Sequence, residues 1–590
     1  MISFITALLV FAFVQFVLTL ALRFLNLGPT IHAREHVLAN YSNKMVYLLL
    51  IGYVLLTAYS VINGVVVAAW FYVFALLLVA LTLSALVGKA PDFRILGIVF
   101  AVPIVAMLMG MLMNGSMPSG QDEGRFAGFA YNIIREGKWQ PHVYLENNYY
   151  QLFHVVPFIL ATISSITGLD ILSLVHPLTS LVVTLIVSLD IYLIIRNLKE
   201  RRSAGLGLLG PILFLTTPPI MTSGFIPQIL AVTFYLTALL ILGKSASGMP
   251  YNAKLITLFL ISVIGVVTHA TYPILLLSTL IPMLIASNSR QQQMAEPRLL
   301  KSVIYLVTVF TLVYWTYTLI LDQLVGTSSS WINGLISLLM GGTRPFEAGR
   351  QVWYSGAAPE VAYSWVLPIA LAMAYAFAVL LSGLTGLGKI RKNFRNLRHD
   401  WLAVLAITGV TMLGAALVLR SSSGGWGVRY FYPFYILLIP ASAIVIEKIT
   451  EKRRIMNMAA VLIMIGLVSF YALQDPMRSI GEKDLFLVAN RRTWVVAESL
   501  AQNVSLEVDY LLDPRVGIPF TALTFRSTPS LFYKDLKPSY NAMLVVLNLD
   551  NLGEQWVKGR IEEETLQRVA NDSSVVYTDG LYSAFYVSLR

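Results

Sequence analysis

Cysteine is absent from the 590-residue chain, and charged residues are scarce. Without cysteine the protein forms no disulfides and has no thiolate metal site and no cysteine nucleophile. Charged residues make up 12% of the chain whereas 57% is hydrophobic, which excludes an ordinary soluble globular protein. The net charge of +11 comes from Lys and Arg in short clusters between apolar runs, so it indicates membrane orientation and not nucleic-acid binding.

Apolar runs long enough to cross about 30 Å of hydrocarbon recur along the chain. The fold class predicted is mainly α, a polytopic membrane protein of about 14 transmembrane helices. The first run lacks a basic start and a small-residue cleavage site, so it predicts a retained anchor and not a signal peptide. The predicted spans are 2–22, 45–62, 64–87, 95–113, 171–195, 203–221, 224–243, 255–269, 270–286, 302–321, 363–382, 401–419, 430–446 and 455–472.

The basic clusters between these spans predict the orientation. If residues 151–167 crossed the membrane, the cluster at 196–202 and every later basic loop would lie outside. If 151–167 instead lie along the interface or re-enter, all basic loops face inside. The outer side then includes a loop at 114–170 and a loop at 322–362, in a multi-pass protein of the plasma membrane.

The composition changes beyond residue 472, where charges appear throughout. WVVAESLAQN and IEEETLQRVA have helical patterns, LEVDYLL and NAMLVVLNL have strand patterns, and SVVYTDG with LYSAFYVSL predicts a hairpin. We therefore predict a transmembrane domain over 1–472 and a soluble extracytoplasmic α/β domain over 473–590.

The stretch Asn114 to Tyr150 is polar and aromatic between apolar spans. Asp122 and Glu123 precede the run GRFAGFAYNIIREGKW, which predicts a short helix along the membrane interface that stops at Gly137. Its predicted apolar face is Phe126, Phe129, Ala130, Ile133 and Ile134, and its polar face is Arg125, Asn132, Arg135 and Glu136. Two carboxylates at the amino end are candidates for chemistry. Ser119-x-x-Asp122 also fits a capping box, in which the acidic residues only stabilise the helix start.

The acidic pair and this helix are followed by NNYYQLFHVVPFILATISSITGLD and a span that closes in LIIRNLKERR. This arrangement resembles the GT-C class of integral-membrane glycosyltransferases, of the protein-mannosyltransferase and aminoarabinose-transferase kind. The resemblance implies inverting transfer of a hexose or pentose from a polyprenyl (dolichyl-type) phosphate donor to an acceptor hydroxyl on the outer face. Asp122 would be the general base, with Glu123 beside it. The acceptor would be a glycan, a lipid or a protein, and membrane lipids would surround the enzyme.

A polyprenyl-phosphate leaving group requires positive charge at the interface, and the planar fork of Arg binds phosphate at two points. Arg429 and Tyr430 stand in GGWGVRYFYPF at the start of a span and resemble the Arg-Tyr position before a late span in many GT-C enzymes. Arg344 and Arg350, in the outer loop at 322–362, are further candidates for the donor phosphate. Arg429 is also explained as a residue that reaches toward lipid head groups within an aromatic belt.

Gln228 stands where many GT-C members place a second acidic residue. A divalent metal is compatible with the acidic pair, but a metal-independent reaction without cofactor is favoured because that carboxylate is missing. The Trp-Trp-Asp-Tyr-Gly motif of oligosaccharyltransferases is absent, which argues against en bloc transfer to asparagine. His269, and similarly His154 and His142, would orient the substrate, although a histidine at a helix break is often satisfied by backbone.

Two other functions fit a protein of this composition. A lipid or solute transporter or flippase would place ionisable residues at mid-membrane and show inverted repeats, and Asp190 is an exception in spans that are otherwise poor in charge. A polysaccharide polymerase or ligase would keep outer-loop arginines without needing an acidic pair before an interfacial helix.

Overall fold

A computed structural model describes most of the first half of the chain and parts of the C-terminal region. The described residues are 31–63, 67–87, 97–99, 101–102, 121–138, 153–179, 186–198, 204–215, 227–243, 249–288, 297–317, isolated positions from 436 to 466, 491–503, 509–512, 516, 520, 542–548, 573–578 and 582–588. The predicted spans 2–22, 363–382 and 401–419 lie outside them. Of 430–446 and 455–472 only isolated helical residues are described.

Helices dominate the described part of the chain. They are α1 (Ile31–Asn63), α2 (Ala68–Val87), α3 (Gln121–Glu136), α4 (Val155–Thr167), α5 (Ile171–Thr179), α6 (Ser188–Leu198), α7 (Ala204–Leu215), α8 (Pro227–Leu242), α9 (Tyr251–Thr268), α10 (Thr271–Asn288), α11 (Pro297–Tyr317) and α12 (Arg491–Asn503). The strands are β1 (Asp509–Leu512), β2 (Ala542–Asn548), β3 (Ser573–Thr578) and β4 (Tyr582–Ser588).

Within the described residues, four helical segments are long and apolar enough to cross a membrane. They are Tyr41–Ser60, Ala69–Val87, Tyr251–Thr268 and Arg298–Thr316. Large apolar side chains on α1, α9 and α11 are exposed, among them Leu48 at 71% and Ile62 at 81%. In a soluble protein such exposure would be unfavourable, whereas in a bilayer these side chains meet lipid. The protein is therefore embedded in a membrane.

One continuous core joins α1, α2 and α6 to α11. The ring of Trp70 stacks on Phe74 at a centroid distance of 5.6 Å and meets the edge of Phe71 at 5.1 Å. Close helix contact depends on small residues: a Cβ on Gly207 of α7 would lie 2.7 Å from the Tyr192 ring of α6. Small residues at such crossings are the usual way in which membrane helices approach each other.

In the segment 151–167, predicted not to cross the membrane, Val155–Thr167 form α4, which is followed by Gly168 with a φ of 70°. At about 1.5 Å per residue its 13 residues span roughly 20 Å, too short for a crossing. Its length agrees with the prediction, and its position relative to a bilayer stays a prediction. The predicted span 171–195 contains α5 and the first part of α6, with 180–185 outside the described residues.

The C-terminal region contains α12 and a four-stranded sheet of order β1-β2-β4-β3. The predicted strands are confirmed, and β3 and β4 form the predicted antiparallel hairpin with an irregularity between Val575 and Tyr577. The sheet is mixed, because β1 pairs in parallel with β2. The predicted helix at 561–570 lies outside the described residues, and the boundary at 472 and the outer location stay predictions.

Candidate active site

The acidic pair occupies the first turn of α3. The helix begins at Gln121, so Asp122 and Glu123 are its second and third residues, and Gly137 with a φ of 68° follows its last residue. Both limits of the predicted helix are thus confirmed. Carboxylates in the first turn are stabilised by the unpaired backbone N–H groups and by the helix dipole. The structure describes the backbone here, and the side chains of Asp122 and Glu123 lie outside the described part.

The apolar side of α3 is covered by α4 and α5. These three helices share a buried cluster made of Phe126, Ala127, Phe129, Ala130, Val156, Leu160, Ala161, Ile171, Leu172, Leu174 and Val175, to which α8 adds Leu230. The sequence predicted an apolar face turned to the membrane interface. That face instead contacts protein, so the helix with the acidic pair is held by its neighbours.

The predicted polar face of α3 is wrong at one position and the apolar face at another. Asn132 is only 2% exposed, whereas Ile134 is 44% exposed. Residues 126–130 are also all buried, which is more than one full turn, so protein surrounds the helix there, whereas residues 134–136 at its end are exposed. Asn132 Oδ1 accepts a hydrogen bond of 2.8 Å from Arg135 Nη2, and Asn132 Nδ2 has no partner among the described residues.

Tyr131 joins α3 to the turn between α4 and α5. Its hydroxyl donates a hydrogen bond to Oδ1 of Asp170. The other oxygen of that carboxylate accepts the backbone N–H of Leu172 at 3.1 Å, so Asp170 also caps α5. Burial first, and then the Asp170 carboxylate, raise the pKa of Tyr131 above its ordinary value of 10. Glu498 of α12 acts in the same direction.

His154 directly precedes α4, and its ring meets Phe158 edge to face at a centroid distance of 5.6 Å. It makes no side-chain cap to the helix. The preceding residue, Phe153, is fully buried and contacts His269. The start of α4 is therefore anchored on the α9–α10 connection.

His269 and Ala270 are the connection between α9 and α10. The Nδ1 atom of His269 accepts the backbone N–H of Thr271 at 3.1 Å and lies 2.8 Å from the Thr271 hydroxyl. The ring of Phe153 lies 4.9 Å away between centroids. The prediction that backbone satisfies this histidine is thus correct for Nδ1, and the other ring nitrogen takes no part in that contact.

Gln228 is the second residue of α8 and is 8% exposed. Leu230, half a turn further on, enters the cluster of α3, α4 and α5. The helix of the acidic pair contacts α4, and so do α8, which carries Gln228, and α9, which ends next to His269. His154 directly precedes α4. His142, Arg344, Arg350, Arg429 and Tyr430 lie outside the described residues.

No group of three His, Asp or Glu side chains suited to a metal occurs among the described residues. Because the side chains of the acidic pair are outside that part, metal independence stays a prediction. Sequence reasoning missed Tyr131, Asp170 and Phe153. A tyrosine and an aspartate are common surface residues, and only their meeting across two helices reveals their role.

No protein-family profile and no curated protein matches the chain. Among solved structures, the chain is similar to ArnT from Cupriavidus metallidurans bound to undecaprenyl phosphate, with 12% identity and a TM-score of 0.44 over 84% of this chain and 98% of that chain. It is also similar to the archaeal oligosaccharyltransferase AglB from Archaeoglobus fulgidus in complex with an inhibitory peptide and a dolichol-phosphate, with 12% identity and a TM-score of 0.45 over 82% of this chain and 74% of that chain.

Proposed function

We propose that the protein is a membrane glycosyltransferase that moves a sugar from a polyprenyl-phosphate donor to an acceptor hydroxyl on the outer face. The observation that carries this proposal is the acidic pair in the first turn of α3, a helix fixed by α4 and α5. A helix held in this way can keep a carboxylate in one place relative to a bound substrate, which acid–base catalysis requires.

In the proposed reaction the acceptor oxygen attacks the anomeric carbon of the donor sugar. The new C–O bond forms as the bond from that carbon to the phosphate oxygen breaks, and polyprenyl phosphate leaves with the electron pair. Asp122 takes the proton of the acceptor hydroxyl as attack proceeds. A single displacement inverts the anomeric configuration and needs only one base. Glu123 follows Asp122 by about 100° around an ideal helix, so the reaction does not require both carboxylates to contact the substrate.

The leaving phosphate is assigned to Arg429 with Tyr430, and secondarily to Arg344 and Arg350. A guanidinium neutralises the charge that develops on phosphate and fixes its orientation by two parallel hydrogen bonds. No metal enters this scheme. The acceptor class is a glycan, a lipid or a protein, each of which offers a hydroxyl.

The test is sugar transfer by the purified full-length protein in liposomes, with polyprenyl-phosphate hexoses and pentoses as donors and total membrane glycans, lipids and proteins as acceptors. Asp122→Asn should lower the rate by about 10²–10⁴-fold while donor binding is kept. Glu123→Gln is the matched control and should keep most activity. Full transfer by the Asp122→Asn variant would remove this residue from the mechanism, and absence of transfer by the wild type from every donor would overturn the function.

A further inference from the structure

Aromatic side chains from three distant parts of the chain meet beside the α9–α10 connection. Phe153, just before α4, and Ala270 are buried at 0% and 3% exposure, and Tyr314 and Trp315 near the end of α11 pack against them. The ring of His269 lies against Phe153. We call these five residues the aromatic cluster.

The hydrogen bonds of His269 fix which ring nitrogen carries the proton. A backbone N–H can only donate, so the 3.1 Å contact from Thr271 N makes Nδ1 an acceptor. The neutral ring then carries its proton on Nε2. No hydrogen bond among the described residues uses Nε2. The cluster therefore contains an N–H donor whose orientation is set from the opposite side of the ring.

Trp315 supplies a second donor. Its Nε1 atom is buried and has no hydrogen-bond partner among the described residues. Tryptophans near membrane surfaces usually turn this N–H toward water or lipid head groups, but protein covers it here. A buried donor left unpaired costs about 1–3 kcal/mol, so an acceptor that reaches it on binding would recover that energy.

The surroundings of the cluster favour an uncharged acceptor. Among the described residues of α4, α9, α10 and α11, the basic side chains are Lys254, Arg298 and Lys301. Each lies within five residues of the start of its helix, and from Lys301 to Trp315 the helix rises by roughly 20 Å. Neutral N–H donors, with no cation beside them in the described part of these helices, suit a hydroxyl oxygen better than a phosphate.

We propose that the aromatic cluster is a carbohydrate subsite, in which His269 Nε2 and Trp315 Nε1 donate hydrogen bonds to sugar oxygens. The C–H faces of a sugar ring pack on aromatic rings, and its hydroxyls need donors, so aromatic walls with a few placed N–H groups fit this ligand. This inference rests on the proposed function and assigns the sugar of one substrate to the aromatic cluster. The sugar belongs either to the lipid donor or to the acceptor.

The test uses the full-length protein in nanodiscs and four variants. His269→Asn keeps an acceptor for the Thr271 N–H and removes the distal donor, whereas His269→Gln places an N–H near the former Nε2. Trp315→Phe removes the second donor and keeps an aromatic ring. Trp70→Phe is the matched control, since Trp70 donates to Thr57 in the distant contact of α1 and α2.

The donor arm compares the Kd of polyprenyl-phosphate hexoses and pentoses with the Kd of sugar-free polyprenyl phosphate. If the subsite holds the donor sugar, at least one sugar should tighten binding to the wild type. His269→Asn should then reduce that gain in affinity by about 3- to 10-fold and leave the affinity for sugar-free lipid unchanged. Trp315→Phe should remove part of the affinity gained from the sugar, whereas His269→Gln and Trp70→Phe should keep most of that gain. The acceptor arm measures the Kd of short alkyl glycosides with the same variants.

Loss in the donor arm assigns the donor sugar, and loss in the acceptor arm alone assigns the acceptor sugar. His269→Asn and Trp315→Phe proteins that keep both affinities would overturn the subsite. If His269→Asn, His269→Gln and Trp315→Phe all lose affinity equally for sugar-bearing and sugar-free lipid, the subsite would also be overturned, because that pattern indicates a structural role. Wild-type protein that binds sugar-free polyprenyl phosphate, gains no affinity from any donor sugar and binds no alkyl glycoside overturns the subsite alone, whereas failure to bind any polyprenyl-phosphate lipid overturns the proposed function.

Discussion

The hydroxyl of Tyr131 donates to the carboxylate of Asp170, and the same carboxylate caps α5. One aspartate therefore fixes the helix of the acidic pair and the helix that follows α4. The position of the proposed base depends on this link, since Asp122 and Tyr131 lie on the same helix.

Tyr131→Phe removes this hydrogen bond and keeps the ring. Because Asp170 is exposed, we expect a loss of only about 0.5 kcal/mol in the free energy of unfolding. Hydrogen exchange in α3 should nevertheless increase, and the rate of sugar transfer should fall, since the helix is less firmly held. Unchanged exchange in α3 would show that the apolar cluster alone fixes the helix.

The same link predicts a response to alkaline pH. The pKa of Tyr131 is raised in the folded protein, so above pH 10 the unfolded phenol loses its proton first and the folded state loses stability as the pH rises. Thermal unfolding of the wild type should therefore show a decline above pH 10 that is smaller in Tyr131→Phe. Identical alkaline profiles would exclude a contribution from this phenol.

Gly265→Ala tests the hairpin of α9 and α10. A Cβ at this position would lie 2.5 Å from the ring of Tyr272, whose hydroxyl is 3.0 Å from Ser262. The ring must move, so we expect a destabilisation of about 1–3 kcal/mol in thermal unfolding. Gly52→Ala is the control, because its Cβ would have a nearest neighbour at 3.8 Å. A Gly265→Ala protein as stable as the wild type would contradict the tight contact.

Arg429→Ala tests the proposed phosphate contact. Binding of polyprenyl phosphate should weaken by about tenfold, the effect of one lost charge-assisted contact, while acceptor binding is kept. Arg429→Lys should restore part of it, since Lys keeps the charge but lacks the planar fork. If acceptor affinity falls instead, the arginine belongs to the other substrate.

Substitution of Asp190 distinguishes the proposed glycosyltransferase from the alternative function, a transporter. Asp190 is 5% exposed, and its carboxylate accepts a hydrogen bond of 2.9 Å from Thr237 on α8. In the proposed enzyme it is structural, so Asp190→Asn should keep transfer, whereas Thr237→Val should lower stability by about 0.5–2 kcal/mol. Solute flux into sealed vesicles that Asp190→Asn abolishes would favour a transporter.

Local patterns predicted much of this structure. The limits of α3 followed from its acidic start and Gly137, and the β3–β4 hairpin followed from two alternating runs around Asp579-Gly580. Both signals depend on neighbours in sequence. The parallel pairing of β1 with β2 depends on residues far apart along the chain, and no local signal specifies its register.

The site was less predictable because its parts meet through tertiary contacts. Periodicity marked α3 as two-faced but did not reveal that protein covers Asn132. His269 was recognised as a histidine at a helix break, yet its contact with Phe153 joins two segments that the sequence keeps apart. Trp315 gave no signal, since a tryptophan near the end of a span is common in membrane proteins.

The connection of His269 and Ala270 allows α9 to pass into α10 with two intervening residues. A link of two residues is too short to lengthen, so the two helices cannot slide past each other unless the first turn of α10 unfolds. If the protein opens to admit a long lipid, α9 and α10 should therefore move together as one rigid unit. An epitope inserted at this connection should inactivate the protein.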